Sequence, residues 1–180
     1  MDPNTGKKNM FNKLSKDQGM KLLDQEDFNR KTVSFYRYVI LDDPNKLRDE
    51  LYSAWDKLDV LGRIYLANEG INAQLSVPEY NWVAFKANVQ ENKYLSDIPF
   101  KIAVEDDGRS FFKLTIKVRQ QIVADGLAKD EYDVTNVGKH LTAEQWNQAM
   151  ENGATVVDMR NHYESEIGKF QAAICPDVET

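Results

Sequence analysis

Residues 61–76 have the sequence LGRIYLANEGINAQLS, and the other predicted elements can be arranged around this stretch. A short apolar run, residues 64–67, precedes the turn sequence Asn68-Glu69-Gly70. Residues 71–76 then alternate between apolar and polar side chains, which is the pattern of a β-strand with one buried face. Glycine adopts the backbone angles that a tight turn requires. The stretch therefore predicts two antiparallel strands joined by a tight turn.

The segments on either side of this hairpin predict one strand and two helices. Residues 32–41 are rich in β-branched and aromatic residues and indicate a strand, in which we interpret Arg37 as a strand-end or edge residue. Asp43 and Pro44 are residue types of a helix cap and first turn, and Pro78 opens a second helix. Apolar residues recur at helical spacing in both helices: Leu47, Leu51, Ala54, Trp55 and Leu58 in the first, and Trp82, Phe85 and Val89 in the second.

Two further strands complete the predicted sheet. Residues 99–104 indicate a fourth strand, residues 105–108 a turn, and residues 111–120 a fifth strand with the clearest alternation in the chain. The resulting order is β-α-β-β-α-β with an added strand. Because crossover connections are right-handed, this order predicts an α+β, ferredoxin-like sandwich in which two helices cover one face of the sheet.

The polar face of the predicted fifth strand is basic. Lys113, Lys117 and Arg119 lie on it, Arg109 precedes it, and the next acidic residue is Asp125. This is either a solvated strand face whose lysines discourage edge aggregation or a surface that contacts a phosphate backbone. The residues alone slightly favour the first interpretation. Exposed Tyr or Phe beside these lysines would favour RNA, because unstacked bases bind aromatic platforms.

The composition limits the classes of function. The chain has 180 residues, 42% of them hydrophobic, and a net charge of −6, so it can bury a core and is not a general polyanion binder. The single Cys175 excludes an internal disulfide and fits a reducing compartment. The two histidines, His140 and His162, do not have metal-ligand spacing, so we predict no metal site, and no cofactor motif is evident. With no long apolar span, we expect no membrane association and a cytoplasmic location.

The C-terminal part has a different organisation. Residues 142–145 are a capping box that begins a helix, which Gly153 ends. Residues 155–160 then indicate a short buried strand of parallel α/β type, after which Arg160 and Glu164, four residues apart, could pair.

This C-terminal pattern does not make a complete domain. A parallel strand needs neighbouring strands and helices on both faces of the sheet. Residues 141–180 are too few to hold their own core. Either they pack on the first domain or they are the start of a larger domain, and we favour the second interpretation.

Several motifs together carry a resemblance to a known family. Residues 157–168, VDMRNHYESEIG, resemble the first motif of rhodanese domains, which has an Asp-x-Arg strand end, an acidic and aromatic helical turn, and a glycine. Three N-terminal features add to this: FYRY at residues 35–38, NEGIN at residues 68–72, and FKLTIKVR at residues 112–119 followed by Ile122 and Val123. Over residues 32–180 the chain resembles the rhodanese-related tRNA uridine hydroxylases.

The resemblance implies a domain order and an activity. It implies a ferredoxin-like domain at residues 32–124 and the start of a rhodanese-like α/β domain at 141–180. Residues 1–31 lie outside the resemblance, and their polar composition predicts an N-terminal extension, partly disordered. The polar, irregular composition of residues 125–140 predicts a linker. The implied activity is oxygen-dependent 5-hydroxylation of the wobble uridine of tRNA. Molecular oxygen would then be a co-substrate and the anticodon loop of tRNA the partner.

The resemblance also implies roles for particular residues. The family's catalytic cysteine lies in a loop well downstream of the Asp-x-Arg motif, so we expect it beyond Thr180 and expect this chain alone to be inactive. We interpret Cys175 as structural, because it is not in a helix-opening anion-binding loop of the kind that lowers a thiol pKa. The residues expected to shape the cysteine loop are Asp158, Arg160 and Glu164, and the tRNA-binding candidates are Arg109, Lys113, Lys117 and Arg119.

Two other functions remain open at this stage. The rhodanese motif by itself suggests a sulfurtransferase that moves sulfane sulfur through a cysteine persulfide. A chain without a catalytic cysteine could instead be a non-catalytic module that binds RNA or protein. Analysis of tRNA for 5-hydroxyuridine, compared with a thiosulfate and cyanide assay of the full-length protein, distinguishes the hydroxylase from the sulfurtransferase.

Overall fold

The chain forms two compact units, residues 1–123 and residues 124–180, in a computed structural model. The structure describes residues 15–104, 108–123, 133–160 and 162–176. The predicted turn at residues 105–108 therefore lies largely outside the described residues, and so does the first half of the predicted linker, residues 125–132.

The first unit contains three helices and one five-stranded sheet. Its elements are α1 (Lys16–Leu23), β1 (Arg30–Tyr38), α2 (Pro44–Asp56), β2 (Leu61–Ala67), β3 (Gly70–Pro78), α3 (Trp82–Glu91), β4 (Lys101–Ile102) and β5 (Leu114–Val118), with a 3₁₀ turn at Glu79–Asn81 before α3. The strand order is β4-β1-β3-β2-β5. Strand β5 is parallel to β2, and every other pair is antiparallel. The predicted β-α-β-β-α-β order with an added strand is confirmed.

Two of the predicted strands are shorter in the structure than in the sequence pattern. Strand β4 contains only Lys101–Ile102, where residues 99–104 were expected, and it pairs with Val33 and Ser34 of β1. Strand β5 spans Leu114–Val118 of the predicted residues 111–120, since within the described part of the chain it pairs with β2 alone, between Gly62 and Leu66. Both strands lie at edges of the sheet, where one neighbour alone sets the length of the pairing.

The hairpin of β2 and β3 is confirmed and forms the centre of the sheet. Its turn is enclosed by the chain that continues from β1, because the Val39 amide donates to the Glu69 carbonyl at 2.9 Å and the Leu41 amide to the Asn68 carbonyl at 2.8 Å. Gly70 has a φ of +149°, and a Cβ there would overlap the carbonyl oxygen of Arg37. Only glycine allows β1 and β3 to come this close.

Helices α2 and α3 pack on one face of the sheet and bury the core. Asp43 caps α2 as predicted, since its carboxylate accepts from the Lys46 amide at 2.9 Å. Trp55 is fully buried, and its indole nitrogen donates to the Asn88 side-chain carbonyl at 2.8 Å, which joins the two helices. The core they cover includes Val33, Phe35, Leu47, Leu51, Ile64, Leu66, Ile71, Ala73, Leu75, Phe85, Val89, Leu114 and Ile116.

Arg37 is the last residue but one of β1, so its predicted position at a strand end is confirmed. It belongs to β1 on the helix-covered face and donates to the carbonyl oxygens of Tyr94 at 3.3 Å and Ser96 at 2.6 Å. These bonds fix the loop that follows α3.

Helix α1 packs against the segment that leads into β5. Ser15 and Gln18 form its capping box. A Cβ at Gly19 would lie 2.7 Å from Cδ2 of Phe112, so the helix approaches this ring closely. Leu23 at the end of α1 is buried. Part of the predicted N-terminal extension is thus an ordered piece of the first unit.

The second unit contains α4 (Ala143–Glu151) and α5 (His162–Ile167). The predicted capping box of Thr142 and Gln145 is present, and Gly153, with a φ of +83°, follows the helix end as predicted. The expected buried strand at residues 155–160 was wrong. Val157 makes a single parallel bridge to Ile174 and is 51% exposed. A parallel strand is stable only between neighbours, and this one bridge is the pairing that the described residues provide.

We expect Gly70→Ala to destabilise the first unit by about 2–4 kcal/mol, because the new Cβ would meet backbone that cannot move and the residue would keep a positive φ. Urea unfolding followed by circular dichroism measures the loss. Gly138→Ala is the control, since a Cβ there meets nothing within 4 Å. Equal midpoints for both variants would contradict this account of the hairpin.

Candidate functional site

The face of the sheet opposite α2 and α3 is polar and basic. Strand pairing places side chains on this face in rows that cross the sheet. One row contains Ser34, Gln74, Arg63 and Thr115, and Lys101 extends it at the β4 edge. The next row contains Tyr36, Asn72, Tyr65 and Lys117. None of the five strands contains an Asp or Glu. We call this surface the open face.

Two tyrosines on the open face have basic groups beside their rings. Tyr36 is 56% exposed, and the Lys101 ammonium lies 5.6 Å from its ring centroid. Tyr65 is half-buried, and the Arg119 guanidinium lies 5.7 Å from its ring centroid. These distances fit cation–π contacts. The exposed Tyr36 therefore lies beside Lys101, and the half-buried Tyr65 lies beside Lys117 and Arg119, an arrangement of rings and cations that favours RNA.

Two segments of chain border the open face. The first is residues 108–111, where the Ser76 hydroxyl donates to the Gly108 carbonyl at 3.5 Å. Ser110 and Phe111 of this segment line a groove of about 480 Å³, together with Ser34, Gln74 and Lys101 of the sheet. At the hairpin end the Asn72 amide donates to the Ile122 carbonyl at 3.4 Å.

The second border is held firmly. The Ile122 amide donates to the Glu69 carboxylate at 2.7 Å, and the Ile122 side chain is only 3% exposed. Because Glu69 belongs to the central turn, the segment after β5 is tied to the hairpin itself.

The four predicted tRNA-binding residues do not have equal surroundings. Lys117 and Arg119 lie on the open face next to Tyr65. Lys113 is half-buried, and its ammonium lies 5.4 Å from the Phe112 ring. Arg109 is exposed and forms an ion pair with Asp24, so part of its charge is already neutralised within the protein.

Sequence reasoning did not select four residues that the sheet brings together on the open face: Tyr36, Arg63, Tyr65 and Lys101. The available signal was the two-residue alternation of β1 and β2, which directs Tyr36 and Tyr65 away from the core. The position of Lys101 on the open face depends on the pairing of β4 with β1, which joins segments that are far apart in the chain.

In the second unit Asp158 and Arg160 form a compact ion pair. The Arg160 guanidinium donates to both carboxylate oxygens of Asp158, with a shortest distance of 2.7 Å, and also to the Gly168 carbonyl at 2.6 Å. The side chain of Asp158 is 7% exposed. Hydrogen bonds from the Arg160 side chain and amide lower the pKa of Asp158 to about 2. The same carboxylate, with a smaller contribution from Glu164, raises the pKa of Arg160.

The three residues predicted to shape a cysteine loop are therefore neighbours, but their pairing differs from expectation. The bidentate hydrogen bonds of Arg160 go to Asp158, two residues before it, and Glu164 contributes through its charge. Cys175 is half-buried, and its Sγ lies 4.0 Å from the Ala173 carbonyl oxygen. No cluster of three or more His, Cys, Asp or Glu side chains that could hold a metal occurs among the described residues. In the same part of the chain, no helix is long and apolar enough to cross a membrane.

Comparisons with known proteins place these features in a family. The family model described as "UPF0176 acylphosphatase like domain" matches residues 30–122. A tRNA uridine(34) hydroxylase of Leptospira interrogans is 54% identical over 177 residues, which are 98% of this chain and 48% of that protein. Proteins of the same name from Yersinia enterocolitica and Yersinia pestis are 46% identical over 167 residues, which are 92% of this chain and 48% and 47% of theirs. The chain spans about half the length of these curated relatives.

We expect the carboxyl group of Asp158 to titrate near pH 2 in the folded chain, below the 3.8 of an unperturbed aspartate. A lowered pKa stabilises the second unit above about pH 4, and this contribution is lost as the pH falls towards 2. Carbon-13 NMR titration measures the value directly. Arg160→Gln should return it towards 3.8, whereas Arg109→Gln, in the other unit, should leave it unchanged. An unshifted Asp158 in the wild-type chain would contradict the ion pair.

Proposed function

The chain belongs to the UPF0176 family, and we therefore propose that it takes part in the 5-hydroxylation of uridine 34 of tRNA. The names of its relatives support this proposal, since proteins that are 46–54% identical to it over about half of their own length are named tRNA uridine(34) hydroxylases. Uridine 34 is the wobble position, so the anticodon loop is the proposed partner, molecular oxygen the proposed co-substrate, and the cytoplasm, where tRNA works, the proposed location.

The proposed domains follow the order that the sequence indicated. We propose that the first unit has a ferredoxin-like fold, because its first four strands have the order β4-β1-β3-β2 with helices on one face. We propose that residues 141–180 begin a rhodanese-like domain, with residues 125–140 as the linker. The Asp158–Arg160 ion pair supports this, because it gives the Asp-x-Arg motif a defined shape.

The open face is the proposed tRNA-binding surface. The observation that carries this proposal is the uneven distribution of charge. The chain as a whole has a net charge of −6, yet five basic residues lie on or beside the open face: Arg63, Lys101, Lys113, Lys117 and Arg119. A phosphate backbone is attracted to such a surface and repelled by the rest of the molecule. Arg109 is a weaker candidate, since Asp24 already pairs with it.

The proposed chemistry assigns positioning roles to the second unit. Asp158, Arg160 and Glu164 would orient the loop that carries the catalytic cysteine of a rhodanese-like domain, through the hydrogen bonds that Arg160 makes to Asp158 and Gly168. Cys175 is not proposed as that cysteine. Cys175 follows the Asp-x-Arg motif closely, whereas the resemblance places the catalytic cysteine in a loop well downstream of that motif.

Deletion of the whole gene that encodes this chain should remove 5-hydroxyuridine from position 34 of cellular tRNA, and a plasmid copy of that whole gene should restore it. Mass spectrometry of digested tRNA measures the modification. A copy with Cys175→Ser should restore it as well. Unchanged 5-hydroxyuridine in the deletion strain, with loss of thiosulfate-to-cyanide sulfur transfer, would reject hydroxylation in favour of the sulfurtransferase.

Reversal of three charges on the open face, Lys113→Glu, Lys117→Glu and Arg119→Glu together, should weaken tRNA binding and flatten its salt dependence. The slope of log Kd against log salt concentration should fall by about 2, since each lost phosphate contact removes somewhat less than one counterion. Filter binding at several salt concentrations measures both quantities.

The matched control reverses three exposed lysines on the helix-covered side, namely Lys46, Lys57 and Lys86. This control changes the net charge of the chain by the same amount. Equal effects of the two triple variants would mean that total charge, and not the open face, governs binding.

A further inference from the structure

The open face combines flat rings, a polar groove and positive charge in one small area. We propose that Tyr36 and Tyr65 each stack on an unpaired base of the RNA, so that the open face holds single-stranded RNA with its bases splayed apart. This proposal rests on the proposed function for its assumption that the substrate is RNA, and it names the part of the RNA that binds and the residues that hold it.

The spacing of the two rings supports splayed bases. Both tyrosines pair with Asn72, Tyr36 from β1 and Tyr65 from β2, so they are two strand spacings apart, roughly 10 Å. Stacked bases in a helical strand rise only about 3.4 Å per nucleotide. Asn72 lies between the two rings, and its side-chain amide donates a hydrogen bond to the Ile122 carbonyl oxygen. Two bases stacked on each other therefore cannot reach both rings, whereas two separated bases can.

The groove beside the rings offers groups that recognise base edges. The exposed Gln74 side chain has an amide that both donates and accepts hydrogen bonds, and Ser34 lies next to it in the sheet. Both residues line the groove of about 480 Å³. That volume is within the usual range for small-molecule sites and can admit a nucleobase.

The charges around the rings fit a phosphate backbone. Lys101 lies beside the Tyr36 ring and Arg119 beside the Tyr65 ring. Arg63 of β2 lies in the row of Ser34 and Gln74, next to the row that contains the two rings. The central strands contain no acidic residue that would repel phosphates. Aromatic platforms flanked by Lys and Arg are the usual means by which proteins bind single-stranded nucleic acid with little sequence preference. A duplex cannot use the rings, because its bases are paired and stacked.

The test is binding of a labelled oligouridylate by the 180-residue chain, followed by fluorescence anisotropy. Tyr36→Leu and Tyr65→Leu remove a flat ring but keep an apolar side chain, and each should weaken binding about tenfold. Tyr36→Phe and Tyr65→Phe keep the ring and should bind as the wild type does. Tyr80→Leu is the matched control, because Tyr80 is 59% exposed and lies outside the open face, in the 3₁₀ turn before α3.

Three outcomes would overturn the proposal. These are unchanged binding by both leucine variants, an equal loss of binding by the phenylalanine variants, and an equal loss of affinity for a blunt RNA duplex. A second measurement looks for a new signal and so does not depend on a variant that loses binding because it is misfolded. Tyr36→Trp should show quenching of its indole fluorescence when oligouridylate is added, beyond that of Tyr80→Trp, and no excess quenching would also reject the stacking role.

The outcome can be separated from that of the proposed function. The deletion experiment reports hydroxylation without reference to these rings. Loss of 5-hydroxyuridine in the deletion strain with unchanged oligouridylate binding by the leucine variants would remove the stacking proposal and leave the function standing. The reverse pair of results would leave an RNA-binding surface in a protein with another activity.

Discussion

The close contact of β1 with the β2–β3 hairpin is the constraint on which the structure depends. Gly70 lets the two strands meet at the turn, and backbone hydrogen bonds from Val39 and Leu41 enclose that turn. The register that results places the core side chains of the central strands towards α2 and α3: Val33, Phe35, Ile64, Leu66, Ile71, Ala73 and Leu75. One face of the sheet is thereby fixed as core, and most polar side chains of these strands lie on the other face. The candidate site is a consequence of this division and needs no separate scaffold.

Much of the first unit could be predicted because its signals are local. The Asp43 cap and the alternation of residues 71–76 each depend on residues close in the chain. The location of Lys101 could not be predicted, because it depends on a two-residue pairing between β4 and β1. The same limit explains the error at residues 155–160, where an apolar run predicts a strand but pairs, among the described residues, through the single bridge of Val157 to Ile174. A strand is stable only when a neighbouring strand pairs with it, and the local sequence pattern does not show where that neighbour is.

The basic residues of the candidate site illustrate a related point. Alternation in β5 identified Lys113, Lys117 and Arg119, whereas the tyrosines that give the surface its chemical character come from β1 and β2. A charged strand face has little meaning until the side chains on adjacent strands are known. Arg109 shows the opposite effect. Its charge is conspicuous in the sequence, but the ion pair with Asp24 partly neutralises that charge within the protein.

The contact between α1 and Phe112 has a consequence for how the first unit is defined. Gly19 lies against the Phe112 ring, and Leu23 is buried nearby, although α1 precedes the first strand of the sheet. A fragment that began at β1 would expose this apolar patch at the entrance to β5 and would leave the edge strand without support on that side. The smallest stable piece of this protein therefore starts earlier than its sheet does, and expression of a shorter one invites aggregation.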